Sequence, residues 1–258
     1  MPEPQFAPLG HFCWPELATT DLAAAKAYYG ALCGWSSEDV PSAMGSYTLF
    51  RAEGLDAAAG YQMRPDQTAP PHWNSYVAVE SADRSCAKAE GLGAQVLMPP
   101  FDIPNVGRMA FIRDPEGATL ALWQSGAHRG AGLLNRPGGL CWTELYTRDT
   151  ARSEAFYTAL FGWKATTKHD FGMAYTEFHV GDAPVGGMIG MAGPEWEGVP
   201  CAWMPYVAVA DVEAVAAAAT RLGGTWLVPP TDIPTVGRFV VAKDPQGAVI
   251  AFIKLLER

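Results

Sequence analysis

The sequence predicts an α+β protein of two tandem domains, each made of two βαβββ modules curved into a half-open barrel. Three observations lead there. The first is an internal doubling. Cys13-Trp14-Pro15-Glu16-Leu17 returns 128 residues later as Cys141-Trp142-Thr143-Glu144-Leu145, and Asp102-Ile103-Pro104-Asn105-Val106-Gly107-Arg108 returns 130 residues later as Asp232-Ile233-Pro234-Thr235-Val236-Gly237-Arg238. A period this long exceeds the ~20–50 residues of a solenoid repeat and matches the size of a domain. The second is that each half alternates one short helical pattern with three extended runs, twice over. The third is composition: 258 residues, 49% hydrophobic and 17% charged, allow a large core and are too apolar for disorder.

The elements follow in order. Residues 11–18 are rich in aromatic and apolar side chains and read as a strand. Asp21 is suited to cap a helix, because its carboxylate can accept the free N–H groups of the first turn. Leu22, Ala25, Tyr28, Tyr29 and Leu32 then fall at helical spacing, and Gly34 stops the run. Short extended runs at 35–40, 46–51 and 57–63 are separated by Pro and Gly. The second module repeats the scheme: a strand over 74–80, a helix over 83–90 closed by Gly91 or Gly93, then strands over 95–98, 107–113 and 118–124. Asp114-Pro115-Glu116-Gly117 has the Pro and Gly placement of a type I turn and recurs as Asp244-Pro245-Gln246-Gly247. This divides the chain into domain 1 (1–126), a glycine-bearing linker (127–138) and domain 2 (139–258), each half being read as a complete unit with helices on its outside. The doubling also allows an intramolecular pseudo-dimer, with further self-association left open.

Charge and cysteine usage narrow the function. The net charge is −9 with no run of like charges, so there is no basic face for nucleic acid. Five widely spaced cysteines, odd in number and without a Cys-x-x-Cys, fit reduced thiols in a cytoplasmic protein. Residues 1–10 lack a signal-peptide pattern, and no stretch reaches the ~18 apolar residues of a membrane span. The expected partner is a small molecule.

The opening Thr19-Thr20-Asp21 through Tyr28-Tyr29-Gly30-Ala31-Leu32-Cys33-Gly34-Trp35 recurs as Arg148-Asp149 through Phe156-Tyr157-Thr158-Ala159-Leu160-Phe161-Gly162-Trp163. With the Asp-Pro-x-Gly hairpins, it resembles the vicinal oxygen chelate superfamily of glyoxalases, extradiol dioxygenases and fosfomycin- and bleomycin-resistance proteins. The doubling is similar to that of two-domain actinobacterial members. The resemblance covers practically the whole chain and implies two glyoxalase-like domains, each enclosing a cavity.

It also implies where a divalent ion would be bound, by His and Glu side chains facing that cavity. Those positions hold Trp14 and Trp142 on the opening strands and Ala121 and Ala251 on the closing strands. At the start of the second modules they hold Asn74 and Met204, and no carboxylate occurs around 58–61 or 185–188. Indole and methyl groups do not ligate such ions. No metal ligands are therefore assigned and no cofactor is expected, with a divalent metal on non-standard ligands as the alternative.

Residues two apart on a strand share a face, so Glu16 accompanies Trp14 and Glu144 accompanies Trp142. An indole beside a carboxyl group suits a flat or cationic organic ligand. Glu16 and Glu144 are the candidate acid–base groups. The ligand-binding candidates are Trp14, Tyr47, Asn74, Arg108, Trp123, Trp142, Tyr175, Glu177 and Arg238. The arginines are read either as anion contacts at the cavity mouth or as ion-pair partners, of the loops or of Glu16 and Glu144. The functional expectation is binding of a small organic molecule without the usual metal site. The alternatives are a metal-dependent lyase or dioxygenase, or a non-catalytic assembly scaffold.

Overall fold

The computed structural model describes residues 2–41, 45, 47–170 and 173–256. The first half runs β1 (Phe12–Thr19), α1 (Leu22–Cys33), β2 (Ser36–Val40), β3 (Tyr47–Ala52), β4 (Leu55–Gln62), β5 (His72–Ala78), α2 (Ala82–Gly91), β6 (Gln95–Ile103), β7 (Gly107–Arg113) and β8 (Thr119–Ser125). The second half runs β9 (Leu140–Thr147), α3 (Thr150–Phe161), β10 (Lys164–Asp170), β11 (Met173–Val180), β12 (Ala183–Gly190), β13 (Ala202–Ala208), α4 (Val212–Arg221), β14 (Thr225–Ile233), β15 (Gly237–Lys243) and β16 (Val249–Leu255). Ser46, read as the start of the third strand, lies outside the described residues.

The helix starts are set by the expected chemistry. Asp21 Oδ1 accepts from Ala24 N at 2.9 Å, and Asp149 Oδ1 accepts from Arg152 N at 2.9 Å. Gly34 and Gly162 end α1 and α3 in the left-handed conformation, at φ 68° and 72°. Ser81, one residue before α2, caps that helix. Strand β6 runs past Pro99-Pro100, where the sequence pattern ends at Met98. It is the outermost strand of its sheet, and its register shifts between Met98 and Phe101, so the two prolines cost no inner ladder bonds.

Each half forms one eight-stranded sheet, ordered β2-β3-β4-β1-β5-β8-β7-β6 and β10-β11-β12-β9-β13-β16-β15-β14. The two modules of a half join through the antiparallel β1–β5 or β9–β13 pair, which sets the opening strand at the middle of the sheet. Both sheets are curved rather than closed barrels.

The halves are not separate packing units: the helices cover the side of each sheet opposite its Trp–Glu cluster, as expected, but that side is shared between the halves. The helix-bearing faces of the two sheets turn toward each other, α1 against α4, α2 against α3, and β5 beside β13. One apolar core joins Tyr29, Trp35, Phe50 and Trp73 to Val207, Val215, Val240 and Phe252. A second joins Val77, Ile112 and Leu120 to Leu145, Tyr157, Phe178 and Trp203. Two equivalent hydrogen-bond chains cross between the halves in opposite directions, as an approximate two-fold relation requires. Trp73 Nε1 donates to Tyr29 Oη (3.0 Å), which donates to Asp244 Oδ2 (2.9 Å). Trp203 Nε1 donates to Tyr157 Oη (2.7 Å), which donates to Asp114 Oδ2 (2.7 Å). The repeated Asp-Pro turns thus hold the partner half: each aspartate accepts backbone N–H groups of its own turn through Oδ1 and the foreign phenol through Oδ2. Even the segment 127–138 is structural, with Leu133 buried in the first shared core.

Candidate functional site

Trp14 and Glu16 on β1 project from the outward, concave face of the first sheet, together with Tyr47 on β3, Asn74 and Tyr76 on β5, and Trp123 on β8. Strand alternation sets Trp14 and Glu16 opposite Leu17, which belongs to a shared core behind, while a register shift between Phe12 and Trp14 turns Phe12 into the other shared core despite its parity. Glu16 is 7% exposed. Tyr47 Oη donates to its Oε1 at 2.9 Å and Tyr76 Oη to its Oε2 at 2.6 Å. Asn74 faces Glu16 across the β1–β5 pair, and its buried Nδ2 has no hydrogen-bond partner among the described residues.

The second half repeats the cluster with changes. Glu144, 5% exposed, accepts three phenols: Tyr146 (2.6 Å) and Tyr206 (2.8 Å) on Oε1, and Tyr175 (2.9 Å) on Oε2. Trp142 Nε1 donates in turn to Tyr175 Oη at 2.9 Å. Gly187 makes this possible, because a Cβ there would overlap the Tyr175 phenol. Met204 replaces Asn74 and faces Glu144 across the β9–β13 pair. A third phenol reaches the carboxyl group only in the second half, while the Tyr61 phenol of the first half stays near Glu16 without bonding to it. Tyr146 on β9 lies beside Ile189 of β12, whereas Ala18 on β1 lies beside Tyr61 of β4.

Burial raises both carboxyl groups above their ordinary range, and the phenol hydrogen bonds oppose part of that rise. The phenols are raised as well, by burial first and then by the neighbouring carboxylate; Tyr61 reaches about 12. Each carboxyl group therefore shifts toward its neutral form, where it can donate a proton, and its ionised form is held by phenol hydrogen bonds. With its proton aimed at Glu144, the half-buried Tyr146 keeps a lone pair to accept from a ligand, whereas Tyr175 already accepts from Trp142 Nε1 and Tyr206 is buried.

Arg108 and Arg238 are elsewhere. Each is one residue out of phase with Met109 or Phe239, which belong to the outward clusters, so both guanidinium groups turn to the helix-bearing face. Arg108 pairs with Asp83 of α2 (2.7 Å) and Asp102 (3.0 Å), and Arg238 with Glu213 of α4 (2.7 Å) and Asp232 (2.9 Å). Neither pairs with Glu16 or Glu144. Glu177 shares the strand face of Tyr175 but pairs with Lys168 at 3.0 Å, with His179 at 3.7 Å. Trp123 stays with the first cluster, and its Nε1 donates to His128 O at 3.2 Å.

Tyr76, Tyr206, Tyr146 and His128 are absent from the sequence-derived set. Tyr76 and Tyr206 repeat between the halves and lie directly across from Trp14 and Trp142, so the doubling combined with register would have found them. Tyr146 has no equivalent in the first half, and His128 reaches the cluster only through the path of the interdomain segment. Among the described residues, no group of three or more His, Cys, Asp and Glu side chains could hold a metal ion, and no helix is long and apolar enough to cross a membrane.

Comparison with known proteins places this arrangement. Residues 9–122 and 139–252 each match the Glyoxalase/Bleomycin resistance protein/Dioxygenase superfamily. A Mycobacterium tuberculosis protein named "Putative glyoxylase CFP32" is 43% identical over 246 residues, covering 93% of each chain. The anthracycline biosynthesis protein DnrV of Streptomyces peucetius is 34% identical over 270 residues, covering 98% of this chain and 96% of that one. Among solved structures, the Mn(II)-bound glyoxalase from Novosphingobium aromaticivorans aligns with TM-score 0.65 at 18% identity, over 96% of this chain and 83% of its own. The 2,3-dioxygenase LapB from Pseudomonas sp. KL28 aligns with TM-score 0.65 at 12% identity, over 96% and 93%. At those identities the likeness is one of fold. Two matched units in one chain, the repeated sheet order and the two full-length relatives together establish that the chain belongs to the glyoxalase/bleomycin resistance protein/dioxygenase superfamily.

Proposed function

We propose that the chain binds a small, flat organic molecule on its outward sheet faces, beside the Trp–Glu–Tyr clusters, and does so without the metal site usual in its family. The observation that carries this reading is the buried carboxyl group, Glu16 or Glu144, met by phenols where a metal enzyme needs further ligands. One carboxyl group with phenols of raised pKa, an amide or a thioether does not fit a divalent ion, which favours several carboxylate or imidazole donors. The indole beside each carboxyl group supplies stacking area. A relative named for anthracycline biosynthesis agrees with a flat ligand, since anthracyclines are fused-ring aromatics. In this reading Glu16 and Glu144 are also the groups able to move a proton on the bound molecule. The units 1–126 and 139–258, joined by 127–138, each carry one cluster. Five free cysteines favour the cytoplasm.

The test is metal content by mass spectrometry on untagged protein purified without chelator, before and after incubation with Mn, Fe, Ni and Zn. Binding that stays far below stoichiometric supports the reading. About one tightly held ion per chain overturns it in favour of metal-assisted lyase or dioxygenase chemistry, the activity class of the structural relatives.

A further inference from the structure

The two clusters differ in what lies on their tryptophans. In the first half the interdomain segment folds back over the outward face. The His128 ring meets Trp14 edge-on at 4.6 Å and 81°, and meets Trp123 at 5.8 Å and 71°. The backbone fixes it there: His128 N donates to Val106 O (3.1 Å), Ala131 N to Cys13 O (2.8 Å) and Gly132 N to Asp56 O (2.8 Å), while Gln5 N donates to Gly132 O (2.9 Å). Gly130, at φ +97°, passes so close to β1 that a Cβ would stand 2.5 Å from Cys13 O. Trp14 is left 4% exposed.

In the second half Trp142 is only half-buried. Ile253 stands where the first half has Trp123, and Phe239 where it has Met109, so the flanking walls differ as well. From Trp142 the outward face continues along β9 past Glu144 to Tyr146, four residues on or about 13 Å. The Trp196 ring lies 5.4 Å from Tyr146, on a loop that Arg148 holds through the carbonyls of Trp196 and Val199. The indoles of Trp142 and Trp196, with the Tyr175 and Tyr146 phenols between them, suit a fused system of two or three rings bearing hydroxyl donors.

Building on the proposed function, we propose that only the second half takes a ligand, and that His128 fills in the first half the seat which a hydroxylated planar aromatic occupies on Trp142. The chain thus displays its own stand-in: a flat ring with an N–H, placed against the same tryptophan. Each chain binds one ligand despite its doubled fold.

Isothermal titration of the full-length protein with 2,6-dihydroxyanthraquinone tests this. The unaltered chain is expected to bind one equivalent. Trp142→Ala is expected to weaken that binding about tenfold or more. His128→Gly, which clears the first seat and leaves the second intact, is expected to raise the stoichiometry to two. Two equivalents on the unaltered chain, one equivalent on the His128→Gly variant, or undiminished affinity in Trp142→Ala would each overturn the inference while leaving the proposed function standing. Absence of binding to every variant, with circular dichroism showing them folded, would remove the flat-ligand function itself and this inference with it.

Discussion

Replacing Tyr157 by Phe removes one oxygen and breaks a chain that ties the two halves together. Trp203 Nε1 loses its acceptor and Asp114 Oδ2 loses its phenol, both in a buried setting. A hydrogen bond to a carboxylate contributes about 1.5–3 kcal/mol, and a buried donor left without a partner costs about 1–3 kcal/mol. Some water entry or repacking offsets part of this, so the expected loss is about 3 kcal/mol. For a chain of this length that lowers Tm by about 6–12 °C. Direction with pH is a second signature. Burial already raises Asp114, with the Tyr157 hydrogen bond opposing it, so the variant raises it further. A carboxyl group raised in the folded state contributes stability that is complete at low pH and is lost as pH climbs through the folded value. The gap between the two proteins should therefore be wider at pH 7 than at pH 4. Differential scanning calorimetry gives both quantities. It should also show one transition with matching calorimetric and van't Hoff enthalpies, because each apolar core contains residues of both halves. A Tm change under about 2 °C, or two resolved transitions in the unaltered protein, would refute the argument.

Three further outcomes follow from the same geometry. Glu144→Gln should flatten part of the decline in urea stability that the unaltered protein shows as pH rises above the ordinary carboxyl range, since the raised Glu144 no longer titrates; an unchanged pH profile would mean Glu144 ionises freely. Gly187→Ala should push the Tyr175 phenol off Glu144 and cost about 1–3 kcal/mol, readable as an altered near-ultraviolet circular dichroism spectrum and a lower urea midpoint. A fragment of residues 1–126 expressed alone should self-associate or bind a hydrophobic dye, seen by light scattering and dye fluorescence, because the α1 and α2 faces lose their partners; a stable monomer that leaves the dye dark would contradict the shared cores.

What the sequence could reveal was local. Asp21 and Gly34 bracket α1 because capping chemistry acts within a few residues, and the Trp14/Glu16 face follows from strand alternation alone. The doubling then gave Trp142 and Glu144 without further argument. The contacts that organise the molecule are not local. Tyr29 reaches Asp244 across 215 positions, and nothing in either motif announces it. For Arg108 and Arg238 the sequence leaves an anion contact at a cavity mouth and an ion pair both open; the ion pair is what forms, because a single step of parity on the strand turns the side chain to the opposite face. Repetition also misled. It suggested two self-sufficient units, although equivalent residues in a two-fold arrangement can serve each other's half as readily as their own. Tyr146 was hidden for the converse reason: the second half draws its third phenol from a strand position that holds alanine in the first.

The crossed cores also constrain how the molecule is made. During translation the amino-terminal half emerges while the strands that complete its apolar side, 202–208, 237–243 and 249–255, are still unsynthesised. At about 5–20 residues per second, that surface stays uncovered for on the order of ten seconds. The nascent chain is then a natural client for a ribosome-associated chaperone. Synonymous codon changes that slow elongation through the second half should lower soluble yield, while the finished protein stays the same.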